Sequence, residues 1–283
     1  TASHAVTTNG SYSFVIYDNA GNSITKTISV TNIDKTSPTG TLTQTPTTWT
    51  NGNVTLNLTS IADVDSGVKN IKLPNGTLVT GTSASQVVSV NGSYSFVIYD
   101  NAGNSTTKTI VVGNIDEIAP TGTLTQTPTG DTNGDVTLNL TSIADAGGST
   151  YYRTKLPNGT YVTTTTASQV VSVNGTYSFV IYDDAGNSTT KTITVSNIDK
   201  TAPTGNLGQT PTSWTNGNVT LNLTSIADVG SGVKNIKLPN GTIVTGTSAS
   251  QVVSVNGTYS FVITDNAENS TTKTIVVGNI DEI

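Results

Sequence analysis

Val54, Leu56 and Leu58 alternate with Thr55, Asn57 and Thr59, so one face of this stretch is apolar and the other polar. A period of two residues is that of a β-strand, whose successive side chains point to opposite faces; an amphipathic helix needs a period of about 3.6. Tyr94, Phe96 and Ile98 repeat the pattern and predict a second inward-facing strand, entered through Asn91-Gly92. Around these two, residues 41–45, 68–73, 77–80, 86–90 and 106–112 read as further short strands. Pro46 ends the first of them, and residues 61–65 and 100–104 are loops. Pro74-Asn75-Gly76 is a turn, because Asn-Gly supplies the positive φ that a tight hairpin needs. No stretch shows helical periodicity. Seven short strands at this spacing predict an antiparallel β-sandwich.

The pattern recurs. Asn9-Gly-Ser-Tyr12 returns at Asn91, Asn174 and Asn256, in steps of 82, 83 and 82 residues, and Asp34, Asp116, Asp199 and Asp281 keep the same steps. A period near 80 is that of a small domain strung in tandem. The units are 35–116, 117–199 and 200–283, preceded by a partial unit, 1–34. That first piece holds only the last strands of a domain and cannot bury a core alone. Thr1 aligns with Ser83, and Asp281-Glu282-Ile283 matches Asp116-Glu117-Ile118 where a next unit opens, so the chain is read as a window on a longer array.

Composition strengthens the all-β reading and removes most chemistry. The 57 Thr, 29 Ser, 29 Asn and 27 Gly make up half of the 283 residues, and 11% are charged, against about 25% in ordinary soluble domains. Thr-rich, charge-poor sequence favours strands, and its short apolar runs set it apart from disordered chains. There is no Cys, and the one His, His4, has no counterpart in the other repeats. Disulfide frameworks, thiolate metal sites and His-dependent nucleophilic catalysis are therefore excluded. Only acidic pairs remain for catalysis, and nothing places two carboxylates in a cleft, so the chain is read as a non-enzyme. No apolar run approaches the roughly 20 residues of a membrane span. A net charge of -6 argues against nucleic acid or an anionic membrane as partner.

Asn91-Gly92-Ser93-Tyr94-Ser95-Phe96 resembles the corner of immunoglobulin-like domains. Tyr94 stands as the corner tyrosine, whose hydroxyl bonds back to backbone in that family, and Phe96 where a disulfide cysteine would be. "TNGNVTLNLTS", "DSGVKNIKLPNGT" and "NGSYSFVIYDNAGNSTTKTIVVGNID" extend the resemblance, over essentially all of the chain, to the bacterial immunoglobulin-like repeats of Gram-positive cell-surface and adhesin proteins. It implies tandem immunoglobulin-like β-sandwiches, an extracellular location at the bacterial cell surface, and the bound calcium or internal cross-links often found in that family. The short Asn-Ile-Asp linkers, followed by Pro38, Pro120 or Pro203, predict an extended rod, since each proline keeps its preceding residue extended.

In an immunoglobulin-like topology the loops after the second and sixth strands lie at the end where the chain enters. Linker Asp34 is then expected beside Asp63, Asp100 and Asn104; Asp116 beside Asp145 and Asp183; Asp199 beside Asp228 and Asp265. Three carboxylates with amide, backbone and water oxygens suit a structural Ca²⁺ at each domain junction, since that ion takes about 6–8 oxygens. The competing role for each Asp is to cap a turn through its own backbone. Asp65, whose counterpart is Gly230, weakens the metal reading.

Trp49 and Trp214 precede the second strand of their units while unit two has Asp131 there, which predicts cover for a sandwich end or a neighbouring domain, not a central core. Lys108 shares the parity of Ile110 and Val112; a Lys on that face could form an isopeptide bond with a neighbouring Asn, and the simpler expectation is that it reaches water along its apolar stem. Unit two departs again at Tyr151, Tyr152, Arg153 and Tyr161, which replace bland residues of unit one. Tyr and Arg are frequent binding hot spots, and tyrosines are also good strand formers on an exposed face. The leading function is a structural stalk that projects a functional tip from the cell, with neighbouring repeats as its first partners. The alternatives are a self-assembling surface layer, fibre or virion appendage, and carbohydrate-binding accessory repeats of a secreted enzyme, with self-association or a host glycan as partner.

Overall fold

The computed structural model describes residues 1–281, which form strands, turns and loops without a helix; Glu282 and Ile283, counted in the last unit, lie outside them. β1 (Gly10–Tyr17) and β2 (Ser23–Val30) make an antiparallel hairpin. The first complete unit holds β3 (Thr39–Thr45), β4 (Val54–Ala62), β5 (Val68–Lys72), β6 (Leu78–Val79), β7 (Ala84–Val88), β8 (Gly92–Asp100) and β9 (Ser105–Val112). The second runs through β10 (Thr121–Thr127), β11 (Val136–Ala144), β12 (Tyr151–Lys155), β13 (Tyr161–Val162), β14 (Ala167–Val171), β15 (Gly175–Asp183) and β16 (Ser188–Val195). The third runs through β17 (Thr204–Thr210), β18 (Val219–Ala227), β19 (Val233–Lys237), β20 (Ile243–Val244), β21 (Ala249–Val253), β22 (Gly257–Asp265) and β23 (Ser270–Val277). Each unit is an antiparallel β-sandwich: β3-β4-β7 faces β6-β5-β8-β9, and the same orders recur as β10-β11-β14 with β13-β12-β15-β16 and β17-β18-β21 with β20-β19-β22-β23.

The alternation read from the sequence builds the cores. Val54, Leu56 and Leu58 are fully buried and meet Ile71, Phe96 and Ile98 of the opposite sheet. In the hairpin β1–β2, which has no opposing sheet among the described residues, the equivalent Phe14 and Ile16 are 38% and 55% exposed. The corner tyrosines behave alike: the Tyr94 hydroxyl donates to the Val90 carbonyl at 2.6 Å, Tyr177 to Val173 at 2.6 Å and Tyr259 to Val255 at 2.7 Å.

One local feature departs from the sequence reading. Residues 61–65 are expected as loop, yet β4 continues to Ala62 and Ile61 is buried in the core. The register jumps from Thr39↔Ala62 to Thr41↔Thr59, and Ser60 takes a left-handed φ of 50°. Such a β-bulge lets Leu58 and Ile61, three residues apart, point the same way. Gly40 sits opposite; a Cβ there would meet Ile98 Cδ1 at 3.0 Å and Leu58 Cδ1 at 3.3 Å. Ser142 with Gly122 and Ser225 with Gly205 repeat the device.

By compactness the chain divides into two units. The first is Thr1–Ala119 together with the loops Asp145–Thr150 and Asp183–Asn187; the second holds the rest of the second sandwich and the third. Within the first unit the linker after β9 is tied down residue by residue. Ile115 enters the core and forms a parallel bridge with Thr50. Its backbone exchanges two bonds with the Asn91 side chain, and the Asn114 amide donates to the Pro46 and Thr48 carbonyls. In the second unit Asn197 and Ile198 repeat these contacts with Pro128, Gly130, Asn174 and Thr132.

Phe179 is fully buried in the second core. Phe179→Ala should destabilise that sandwich by about 3–5 kcal/mol. In urea unfolding of the whole chain, one transition should move to lower denaturant while the other sandwiches keep theirs.

Candidate functional site

The structure brings together the three Asp sets that the repeat predicts. In each of Asp34–Asp63–Asp100, Asp116–Asp145–Asp183 and Asp199–Asp228–Asp265, one carboxylate oxygen per residue lies within 4.8 Å of the others. Each set combines a linker Asp, an Asp after the second strand of the unit and an Asp at the end of the sixth. Asp100, Asp116, Asp183, Asp199 and Asp265 are buried. Among the described residues none of the nine is paired with a lysine or arginine.

Backbone amides hold the negative charge instead. The linker carboxylates cap the loop of the following sandwich: Asp116 Oδ2 accepts from the amides of Gly148 at 3.1 Å and Ser149 at 2.8 Å, Asp199 Oδ2 from Ser231 at 2.7 Å, and Asp34 Oδ2 from Ser66 at 3.1 Å. Their other oxygens accept from the amides of Ile118, Thr201 and Thr36. The third members cap their own turns, as when Asp100 Oδ1 accepts from Gly103 at 2.6 Å and Asn104 at 2.7 Å. Bonds from Ser66 and the Thr36 amide hold the Asp34 carboxyl below its ordinary range, and the Thr201 and Ser231 amides do the same for Asp199. At Asp116 burial works against the charge, and bonds from Ser149, Ile118 and Gly148 outweigh it, so this carboxyl is lowered too.

Two oxygens are left over. Asp63 Oδ1 and Asp228 Oδ1 are buried without a hydrogen-bond partner, while their Oδ2 atoms accept from Gly67 and Gly232. A hard-oxygen donor set with an unused buried oxygen fits a cation such as Ca²⁺. Asn104, expected as a ligand, stands differently. Its amide nitrogen donates to Asp100 Oδ2 at 2.8 Å and to the Asp34 carbonyl at 3.2 Å. Both partners are acceptors, so the NH₂ end faces the carboxylates and Asn104 acts as a clamp between loop and linker. Asn187 and Asn269 repeat it.

The exchange of Asp65 for glycine also gains a physical reason. A Cβ at Gly147 would lie 2.0 Å from Asp116 Oδ1, and one at Gly230 would lie 2.2 Å from the Asp199 carboxylate. Glycine there makes room for the linker carboxylate to seat on the loop. In the first set Asp65 accepts from the Thr36 hydroxyl, and Asp34 is only half-buried. The glycines and the recurring Ser66, Ser149 and Ser231 are visible in the sequence, and their role emerges only where the linker carboxylate meets the loop.

The aromatic residues divide. Trp49 lies against Gly148 of the next sandwich, where a Cβ would come within 2.7 Å of its ring. Trp214, at the equivalent place in the third sandwich, is 76% exposed. Of the four residues singled out in unit two, Tyr151 is not on the surface cluster. It packs against the second core, and its hydroxyl donates to the Val162 carbonyl at 3.1 Å and lies 3.2 Å from Thr154 Oγ1. Thr154 occupies the buried place of Ile71, giving the tyrosine hydroxyl a partner there. Tyr152, Arg153 and Tyr161 do cluster outside, joined by Tyr182, which the sequence reading did not single out.

No family model and no curated protein matches the chain. Among solved structures it is similar to a 1.5-MDa bacterial ice-binding adhesin, studied for its host cell surface retention, with 19% identity over 87% of this chain and 99% of that one and a TM-score of 0.39. It is also similar to a tetra-tandem repeat in the extending region of a large adhesion protein, with 18% identity over 97% of this chain and 82% of that one and a TM-score of 0.27. No helix among the described residues is long and apolar enough to cross a membrane.

A carboxyl whose folded pKa is depressed contributes stability that is present above its unfolded value, near about 3.9, and lost as pH falls through the folded one. Melting temperature should therefore fall on acidification below about pH 4, and Asp116→Asn with Asp199→Asn should flatten that fall. Gly147→Ala should push the Asp116 carboxylate off the Gly148 and Ser149 amides, raising its pKa toward the unfolded value in a carboxyl-detected NMR titration.

Proposed function

We propose that this chain is an extending segment of an extracellular bacterial surface protein, built of immunoglobulin-like repeats that act as a spacer for a functional part elsewhere. The observation that carries this reading is the linker. Its Asn and Ile belong to the sandwich before it, and the carboxylate of the very next residue, Asp116, seats on a loop of the sandwich after it. All three residues of the joint are therefore bonded. The Asn51 amide adds a direct bond to the Ala185 carbonyl at 3.1 Å, and Asn133 repeats it with Ala267 at 3.2 Å.

Calcium belongs to this proposal as the ion that stiffens the joints. The linker Asp and the two loop Asp residues of each set would hold it, with Asp63 Oδ1 and Asp228 Oδ1 as oxygens already free to ligate. The ion's charge would offset the mutual repulsion of three carboxylates. It would also tie a linker to the next sandwich more firmly than amides alone.

The test is thermal melting and small-angle scattering of the whole chain, with calcium and with chelator. Calcium should raise the melting temperature, by an amount equivalent to about 2.7 kcal/mol when free ion exceeds its dissociation constant a hundredfold, and should lengthen or straighten the particle. Asp63→Asn, Asp145→Asn and Asp228→Asn together keep an uncharged acceptor in each loop and should remove the response. Identical melting and shape in both conditions would make these residues turn caps and the array a metal-free spacer. A compact particle in both would overturn the spacer itself.

A further inference from the structure

The second sandwich differs from its neighbours on the outer face of its four-stranded sheet. Where the first has Lys69, Asn70 and Leu78, the second has Tyr152, Arg153 and Tyr161 on β12 and β13. Arg153 is the single arginine of the chain. Its guanidinium carbon lies 4.4 Å from the ring centroid of Tyr161, 5.0 Å from Tyr152 and 5.5 Å from Tyr182. The Tyr161 and Tyr182 rings are 6.4 Å apart and tilted by 44°. Lys155, the register partner of Tyr161, adds a second cation to the same strand.

This arrangement is not explained by folding. The first and third sandwiches close the same core without it. No carboxylate pairs with Arg153 among the described residues, and its Nε is buried without a hydrogen-bond partner. The guanidinium is thus oriented by aromatic faces; its Nε lies beneath the surface, and its two terminal NH₂ groups form the end that can meet a ligand. A planar fork of N–H donors matches a carboxylate in a two-point contact that lysine cannot make. Tyr152 and Tyr161 are each 48% exposed, so flat apolar faces stand beside that fork. A fork for one anionic group flanked by flat faces fits a pyranose ring carrying a carboxylate. An acidic peptide fits less well. β13 at the sheet edge is two residues long and offers an added strand almost nothing to pair with.

We propose that Tyr152, Arg153, Tyr161 and Tyr182 form a binding site for a uronic-acid unit of an acidic polysaccharide, with the carboxylate on Arg153 and the sugar face on the tyrosine rings. The site gives the spacer a lateral contact with an anionic glycan and does not depend on the spacer reading or on calcium.

The experiment titrates the whole chain with an oligogalacturonate, in chelator so that neither the ligand nor the Asp sets hold calcium, and follows tyrosine ring resonances. Saturable binding is expected with shifts confined to this face. The methyl-esterified oligomer, which keeps the sugar faces and loses the charge, should bind at least about tenfold more weakly, as should R153Q. R153K should not restore affinity, and Y152A should weaken binding with the melting temperature unchanged. Absence of saturable binding, affinity unchanged in both R153Q and Y152A, or equal binding of polyglutamate would each overturn the proposal.

Discussion

Everything in this array depends on how three consecutive residues, Asn114-Ile115-Asp116 and their counterparts, are held. The Asn side chain bonds to carbonyls of the preceding sandwich, and the Ile fills its core. The Asp then hands its charge to amides of the following loop. These roles fall on adjacent residues, so each of the three has partners of its own. The constraint explains why the loop opposite needs glycine at 147 and 230, and why a clamp such as Asn187 bonds the linker carbonyl as well as its own turn.

The same constraint sets the electrostatics. Bringing a linker carboxylate onto the loop places it beside two others, and like charges at such distances repel. Bonds from the Ser66 and Ser149 side chains, with backbone amides aimed at the linker oxygens, hold the Asp34 and Asp116 carboxyls low, and the Thr201 and Ser231 amides do the same for Asp199. Where the amides run out, as at Asp63 Oδ1 and Asp228 Oδ1, a buried lone pair is left facing no donor. Hydrogen bonding by the chain alone therefore comes close to satisfying these junctions and stops one oxygen short in the first and third.

Much of this was legible in the sequence, and two of the parts that were not share one cause. Strict alternation at 54–58 and 94–98 places the cores, and recurrence at a fixed step brings the Asp sets to one end of each sandwich. Parity fails at bulges. Ile61 looks like loop because Ser60 inserts a residue with positive φ. Tyr151 looks like a companion of Tyr152, but β5 and β19, the counterparts of its strand, both carry a register shift just after the position it occupies. Tyr151 is then three residues from buried Thr154 and turns inward with it, leaving Tyr152 and Arg153 together outside. Tyr182 escaped notice because Tyr99 stands at its place in the first unit, so nothing marks it until Arg153 is seen over its ring.

Divergence between the repeats follows the same physical division. The first and third units differ at nine positions, and none of the nine is one of the buried apolar residues of either core. The second unit lengthens a loop by one glycine, and that loop is where both Asp116 and Trp49 of the first unit come to rest. Gly148 can accept the indole only because it lacks a side chain, so the extra residue and the tryptophan act as one fitted pair. Asp131 takes the tryptophan's place in the second sandwich, and the loop it precedes in sequence, around Gly230, has no second glycine before Ser231. Core residues that change together, as Tyr151 does with Thr154, and junction residues that change in matched pairs are what a chain needs if its repeats are to keep one fold while each joint takes its own contacts.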